Sequence, residues 1–552
     1  MRHPVVFVLF LLGCTPQGAL LYTEPTPASL PSPPPPTPEE PDDDPVFHPT
    51  GRTFVDPISL EIASDPSGHP VVFTEDGTLP TTPAGEAYDG PLLVRTSSRF
   101  HAFVDYVFEV PEGETDPGPD INTHGYMRID DRIADFESNL PLALVHTFDS
   151  REIESSATEF QPAHFMLLAP DEDGVTSLVG EAHVDTPLGI KVRGSSTRNQ
   201  DKHQYRIEFQ DAEGSDKGYE PLGMAKEADW ILFAPFRFDQ AYLRNPLAYE
   251  LSRRMGRWAP RTRQIELFMV EDDHMEFDDG DYRGVYTLIE RIEPDENRLV
   301  IDRLRPEDNA APEITGGYVF KVDRTAPGDN GFQAGGSAAS NRTLNLVFPD
   351  PAEITSPQSA YLIDYIDTFA EALNAADFHH PELGTHYSEY IDVGSWIDHH
   401  ILNLFTRNPD GLRLSAYFHK PREGKLTAGP AWDFDRTMGS TDGRDESPES
   451  WNQGNGNGFF TALWWGRLFD DPEFAAAYWA RMEELTEGEL SPQALGDLID
   501  SMAVELTQGA AARNSERWPA VQHRDGHEAA VAHLRWWMTT RSTWIRDNLP
   551  AP

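Results

Sequence analysis

The chain of 552 residues contains a single cysteine, Cys14. That excludes a disulfide framework and any structural metal site built on several thiolates. Lysine is nearly as scarce. Of 44 basic residues only seven are lysine (Lys191, Lys202, Lys217, Lys226, Lys321, Lys420 and Lys425), so a lysine inside a chemical motif carries more information than usual. Cations as a whole are outnumbered by 92 Asp and Glu, for a formal charge of −48. Such a balance argues against nucleic acid as a partner and against capture by an anionic lipid surface through bulk electrostatics. Long apolar runs are missing too, since none approaches the roughly 20 residues of a membrane-spanning helix. What is there is 39% hydrophobic and 11% aromatic, enough for sizeable cores, so the acidity does not imply disorder. The length predicts two or three folded units.

The lone cysteine closes a segment in which Arg2 and His3 precede the apolar run from Val5 to Leu12. This reads as the core of an export signal. Leu11-Leu12-Gly13-Cys14 looks like a bacterial lipobox, whose cysteine is acylated and becomes the mature N-terminus. Residues 1–14 are therefore expected to be a lipoprotein signal peptide. Thr15, in place of an aspartate, favours the outer membrane. The expectation is an exported protein, anchored to the cell envelope by lipid and touching the membrane only there. Residues 15–45, with the run EPTPASLPSPPPPTPEEPDDDP, read as an extended linker, because proline fixes φ and no core can form.

Short β-rich runs at 58–63, 71–74, 92–96 and 100–108, separated by Gly, Pro and Asp, predict a small β-sandwich over 46–112. Val72-Phe-Thr-Glu-Asp-Gly-Thr-Leu-Pro-Thr, Tyr88-Asp-Gly-Pro and Phe100-His-Ala-Phe resemble the β module at the C-terminus of chitobiase-type hexosaminidases. Glu75 and Phe100 depart from that pattern. The resemblance implies an accessory role without catalytic residues and leaves contact with envelope polysaccharide open.

From residue 136 strands alternate with helices, and after 355 helices dominate, an α+β layout. Strands are expected at 142–148, 165–169, 189–192, 204–209, 230–233, 264–270, 285–290 and 317–322. Leu243, Leu247 and Leu251 form the stripe of a helix. Three clusters carry chemistry. Lys191 to Phe209 is basic in an acidic chain, and alternation sets Lys202, Gln204 and Arg206 on one strand face, after Arg193 and a Gly-Ser-Ser turn, a suitable phosphate cradle. Asp410 lies in a turn before a strand-like run, where a general base, a metal ligand or a plain Asp-Gly hairpin would each sit. Asp433 and Asp435 are wrapped by Trp432, Phe434 and Met438, a costly setting for carboxylates unless a cation such as Mg²⁺ answers them.

Val192-Arg-Gly-Ser-Ser, Leu243-Arg-Asn-Pro-Leu-Ala-Tyr-Glu-Leu, Tyr282-Arg-Gly-Val-Tyr-Thr-Leu-Ile-Glu290, Gly316-Gly-Tyr-Val-Phe, Asn408-Pro-Asp410, Trp432-Asp-Phe-Asp435 and Arg541-Ser-Thr-Trp544 follow one another in an order that resembles the CotH family of atypical, protein-kinase-like enzymes. The resemblance covers 136–549. It implies a two-lobed kinase-like fold, ATP and Mg²⁺ as cofactors, and transfer of the γ-phosphoryl group to Ser/Thr hydroxyls of a protein substrate whose identity it leaves open. Asp410 would be the catalytic aspartate, Asp433 and Asp435 metal ligands, and Arg193, Lys202 and Arg206 phosphate-binding, with Glu290 near the nucleotide. Two positions depart from the family. His203 stands where a second lysine is common, and Ser415, five residues after Asp410, replaces the Asn that binds a second metal in kinases, so a serine is the expected ligand there. ATP is scarce outside the cytoplasm, which keeps a second reading open: a non-catalytic surface binding or assembly protein on a kinase-like scaffold. A glycoside hydrolase, suggested by paired carboxylates, ranks last.

Overall fold

The structure, a computed structural model, describes residues 45–550 apart from 64–68, 82, 106–118, 149–150, 195–196, 326–330, 337–342, 453–457 and 522–524. Cys14 and the proline-rich run up to residue 44 lie outside the described residues. In the strand Ile58–Ala63 alternation turns Leu60 and Ile62 inward and leaves Ser59 and Glu61 out. This strand pairs with Val46–His48 and Leu92–Val94. A second sheet has the order Arg52–Phe54, Asn122–Arg128, Ser98–Val104, Val71–Thr74, Glu86–Ala87. Phe47, Phe73, Phe100 and Tyr126, drawn from both sheets, share one apolar cluster. The N-terminal β region expected over 46–112 thus continues past that boundary, since 122–128 supplies a strand of the second sheet.

Seven strands close a barrel: β1 (Leu142–His146), β2 (Gln161–Leu168), β3 (Val184–Arg193), β4 (Gln204–Phe209), β5 (Asp229–Phe233), β6 (Thr262–Val270) and β7 (Tyr282–Glu290), in the order β1-β2-β3-β4-β5-β7-β6. Closure comes from the parallel pairing of β1 with β6, Leu142 opposite Glu266. β1 and β5 are buried along their whole length and read as nearly continuous apolar runs, whereas β4 alternates, with Arg206 and Glu208 only half-buried. Ala143 and Val145 join an interior cluster fed by all seven strands, while Leu142 and Leu144 face a separate cluster outside it. The acidic run from Glu271 to Asp281 is the tip of the β6–β7 hairpin. It ends in a short helical turn capped by Asp278.

Between β5 and β6 lies helix α1 (Arg244–Arg254), with Leu247 and Leu251 fully buried as the stripe predicts. A five-stranded sheet follows, built from β8 (Tyr318–Val322), β9 (Gly331–Phe332), β10 (Leu344–Phe348), β11 (Ala416–Lys420) and β12 (Thr427–Ala428) in the order β9-β10-β8-β11-β12. Helices α2 (Ser356–Asn374), α3 (Val393–Phe405), α4 (Trp465–Leu468), α5 (Pro472–Glu487), α6 (Pro492–Thr507), α7 (Ala510–Arg517) and α8 (His527–Asp547) complete the chain. Their starts follow the sequence. Thr355 and Gln358 form a capping box, and Asp392, Asp471 and Ser491 cap α3, α5 and α6. The content is α+β, and one large core joins Ile231, Phe233, Val285 and Ile289 of the barrel to Trp396, Trp464, Trp465 and Trp537 of the helical part.

The N-terminal sheets are tied to the barrel through Asp185. Its carboxylate accepts from His124 (2.8 Å), from His164 (2.5 Å) and from the Gly125 N–H (3.0 Å). Burial works to raise the Asp185 pKa, but the two imidazoles outweigh it and hold the carboxyl below its usual range. Across the β1–β2 pair, His146 stands directly opposite His164. Burial lowers the His164 pKa and brings that of His146 to about 4. Histidines held neutral stabilise the fold fully above their unfolded pKa near 6.5, and that stability is lost as the pH falls through the window toward 4. Thermal unfolding should therefore move to lower temperature between pH 6.5 and 4. His146→Phe, which keeps the ring stacked on Phe148, should flatten that slope by about 3 kcal/mol over the window.

Candidate active site

Helix α3 ends at Phe405, and the chain then turns sharply, with Arg407 at φ 50°. The fully buried guanidinium of Arg541 caps this end by donating to the carbonyls of Leu404 (2.8 Å) and Phe405 (3.1 Å). In the turn, the Asn408 side-chain oxygen accepts the N–H groups of Asp410 (3.0 Å) and Gly411 (2.9 Å), and its amide donates to Asn403 (3.1 Å). Glycine is required at 411, because a Cβ there would lie 2.3 Å from the Asn403 side-chain oxygen. These contacts fix Asp410. Arg444 donates to both of its oxygens, at 3.0 and 3.1 Å, and Arg413 pairs with it as well. Burial pushes the Asp410 pKa up, but the two guanidiniums prevail and hold it below the ordinary carboxylate value.

The second acidic segment is hung from helix α1. Asn245 accepts the Phe434 N–H (2.7 Å), the Tyr249 hydroxyl accepts the Asp433 N–H (3.3 Å), and Trp432 stacks on Tyr249 at 5.9 Å. Arg244 donates to the carbonyls of Thr437 (2.7 Å) and Gly439 (3.2 Å) while paired with Asp239 (2.7 Å). The Met438 N–H reaches back to the Thr406 carbonyl (3.0 Å), joining this loop to the Asp410 segment. Six non-glycine residues between 407 and 438 hold a positive φ: Arg407, Leu412, Ser415, Glu423, Asp433 and Met438. Backbone strain of this kind is kept where the surroundings over-determine it, commonly at functional sites.

Asp433 is open to solvent on one side and deep among protein atoms on the other. Its pKa is raised, by burial first and by Asp323 and Asp410 next, against the opposing charges of Arg193 and Arg436. Asp435 is raised further, by burial and then by Asp433. The Ser415 hydroxyl lies 3.3 Å from Asp433 and 3.4 Å from Asp323. Arg193, at the end of β3, sits over the Trp432 ring at 5.5 Å. The expected residues Asp410, Asp433, Asp435, Ser415 and Arg193 are thus brought into one neighbourhood.

Three other expected residues are placed differently. Lys202 is 1% exposed, and its ammonium donates to the carbonyls of Val285 (2.5 Å) and Pro235 (3.4 Å) and to the Asn514 side chain (2.9 Å). All three protons have acceptors inside the protein, so this lysine joins α7 to the barrel and has none to offer a phosphate. Burial lowers its pKa well below the usual value. Arg206 is paired with Asp229 at 2.9 Å. Glu290, fully buried, binds the Arg261 guanidinium at 2.6 Å and its N–H at 2.8 Å. β4 begins at Gln204, so Lys202 lies before the strand, and the partners of all three residues come from other segments. Sequence reasoning missed Asp323, Arg436, Arg444, Asn245 and Tyr249. Asp323 had a signal, since it continues the alternation of β8 two residues beyond Lys321.

Among the described residues, one group of three carboxylates is close enough to share a metal ion: Glu227, Asp229 and Glu293. Arg206 and Arg291 face Asp229, and Arg291 and Arg298 face Glu293, so guanidiniums already neutralise it. At Asp433 and Asp435 the charges of Arg193 and Arg436 do not outweigh burial and carboxylate repulsion, and both pKa values stay raised. Their hard oxygen donors, with pKa values raised by burial and mutual repulsion, suit a divalent cation.

A family model described as CotH kinase protein matches residues 190–545, well over half of the chain. The chain belongs to the CotH kinase family. No curated protein matches it. Membership makes this a kinase-like protein, with ATP and a divalent metal as what such a protein uses. The matched span takes in every residue of the site just described, from Arg193 to Arg444. The N-terminal sheets fall outside it, so their likeness to a chitobiase-type module rests on the sequence alone.

Because Asp433 and Asp435 titrate above the unfolded value, their charged forms weaken the metal-free fold at neutral pH, and the loss is relieved as the pH falls toward 4. Asp433→Asn should raise the unfolding temperature in a chelating buffer at pH 7. The gain should disappear near pH 4, and added Mg²⁺ should lift the wild type alone.

Proposed function

We propose that this CotH kinase transfers the γ-phosphoryl group of ATP to Ser/Thr hydroxyls of a protein, as an exported enzyme held to the cell envelope by lipid on Cys14. The observation that carries the reading is the convergence of Asp410 with Asp433 and Asp435 on one neighbourhood, delivered by two separately braced segments, in a chain of this family. Asp433 and Asp435 would hold Mg²⁺, which supplies charge neutralisation on the phosphates when bound. Arg193 adds a fixed cation beside them. Asp410 orients the acceptor hydroxyl and takes its proton. The acceptor oxygen forms a bond to the γ-phosphorus as the bond to the β–γ bridging oxygen breaks, and ADP departs. Little covalent help is needed from the protein, so placement and charge do most of the work.

A specific observation favours the non-catalytic alternative. Both oxygens of Asp410 are engaged by arginines, and Lys202 and Arg206 spend their charges inside the protein. The two readings part on one experiment. Purified protein given γ-labelled ATP and Mg²⁺ should incorporate label into a protein acceptor or itself, and Asp410→Ala should lower the rate about a hundredfold or more. Absence of both nucleotide binding and Asp410-dependent labelling would leave the scaffold reading. For the anchor, Cys14→Ser should abolish incorporation of labelled fatty acid and release the chain from the membrane fraction.

A further inference from the structure

A cavity of about 170 Å³ lies between the last turn of α1, helix α3 and the β11–β12 pair, with Gly429, Pro430 and Ala431 along one wall. A space of roughly 150 Å³ is room for one benzene-sized ring. None of Arg193, Asp410, Ser415, Asp433 and Asp435 lines it. Trp258, Leu299, Leu402 and Ala431 give it apolar sides, and its charged residues already pair with protein groups. Arg257 donates to Asp398 (2.7 Å) and Asp392 (3.1 Å), and Asp398 also accepts from Arg481 (2.9 Å). Ser252 and Thr427 donate to backbone carbonyls. Two histidines are different. His399 is 7% exposed, and the Asn403 amide donates to its Nε2 at 3.3 Å, which leaves the ring proton on Nδ1. That Nδ1 has no hydrogen-bond partner among the described residues and faces Gly429, where a Cβ would lie 3.8 Å from it. His419 donates from Nδ1 to the Gly429 carbonyl (3.1 Å), so its Nε2 keeps a lone pair, also without a partner among the described residues. Burial brings both pKa values to about 4, and both rings are neutral at pH 7.

The cavity thus presents one N–H donor and one nitrogen acceptor beside apolar walls, and a donor left unmatched at that depth is costly. It is also wired to the aspartates. Asn403, which holds His399, accepts the Asn408 amide (3.1 Å), and the Asn408 oxygen accepts the Asp410 N–H (3.0 Å). On the other wall, Gly429 to Ala431 lead through Trp432 directly into Asp433. We propose that this cavity binds a small, flat, uncharged amide or lactam, its carbonyl taking the His399 proton and its N–H donating to His419, and that occupancy steadies the Asp410 and Asp433 segments. Binding there is an effector function separate from the nucleotide and its metal.

The test titrates the purified protein, without nucleotide, with 2-pyridone and with benzene, a ring of similar size that lacks both polar groups. Wild type should bind 2-pyridone at least about tenfold more tightly than benzene. His399→Phe and His419→Phe should each abolish that preference, and either one decides if the other fails to fold. With 2-pyridone bound, hydrogen exchange of the amides over 406–412 should slow at least about fivefold. No binding, equal affinity for the two rings, or a preference kept in the folded variants overturns the proposed ligand. Unchanged exchange overturns the link to Asp410. Competition between 2-pyridone and a non-hydrolysable ATP analogue would make the cavity part of the nucleotide site and overturns it as a separate one. The binding and exchange measurements need no ATP, so failure of the kinase reading leaves them standing.

Discussion

The guanidinium of Arg244 is 2% exposed, and the geometry of the aspartates depends on it. A charge buried that deeply is costly unless every proton is used and a counter-ion is at hand. Here Asp239 supplies the counter-ion, and the carbonyls of Thr437 and Gly439 take further protons. Those carbonyls belong to the loop that carries Asp433 and Asp435, while Arg244 opens the helix between two barrel strands. One side chain therefore fixes the acidic loop to the barrel. Asn245, the next residue, fixes its entry by accepting the Phe434 N–H. Arg244 could not be replaced by lysine, whose single point charge cannot reach several divergent acceptors in a plane.

Buried arginine links the interior of a chain with few lysines, although two nitrogens of Arg298 have no hydrogen-bond partner among the described residues. Arg298 and Arg541 are as buried as Arg244, and each stitches distant segments. Arg541 pulls the end of α3 toward the loop at 448–450. The acidity of the surface and the arginine content of the interior are thus separate matters. The first governs how the protein meets its surroundings, the second how its loops are held.

Much of the fold was legible. Strands 58–63, 71–74 and 204–209 fall where the β-rich runs put them, and the leucine stripe marks α1 to within a residue. These are local signals of period two or 3.6, and burial on one or both faces enforces them. The site was legible in part. Asp410, Asp433, Asp435, Ser415 and Arg193 announce themselves as polar residues at turns beside apolar runs. Lys202 and Arg206 were expected to share a strand face turned to phosphate, but Lys202 lies before β4 and both cations have partners within the protein, since alternation says nothing about what a face meets. Asn514, which binds Lys202, lies 312 residues away, and Arg444, which binds Asp410, lies 34 residues on. Such partners are set by topology. Asp323 continues the alternation of β8, but only the β8–β11 register shows that it meets Ser415.

Closure of the barrel by β1 and β6 has a consequence for how the protein behaves in company. A closed barrel offers no free edge to another chain. Among the described residues, the open sheets end in strands of two or three residues: 331–332, 427–428, 86–87, 52–54, 46–48 and 92–94. Edges that short give a neighbouring chain almost no backbone to pair with. A protein rich in β-structure can thus be held at high local density without its sheets joining those of the next molecule.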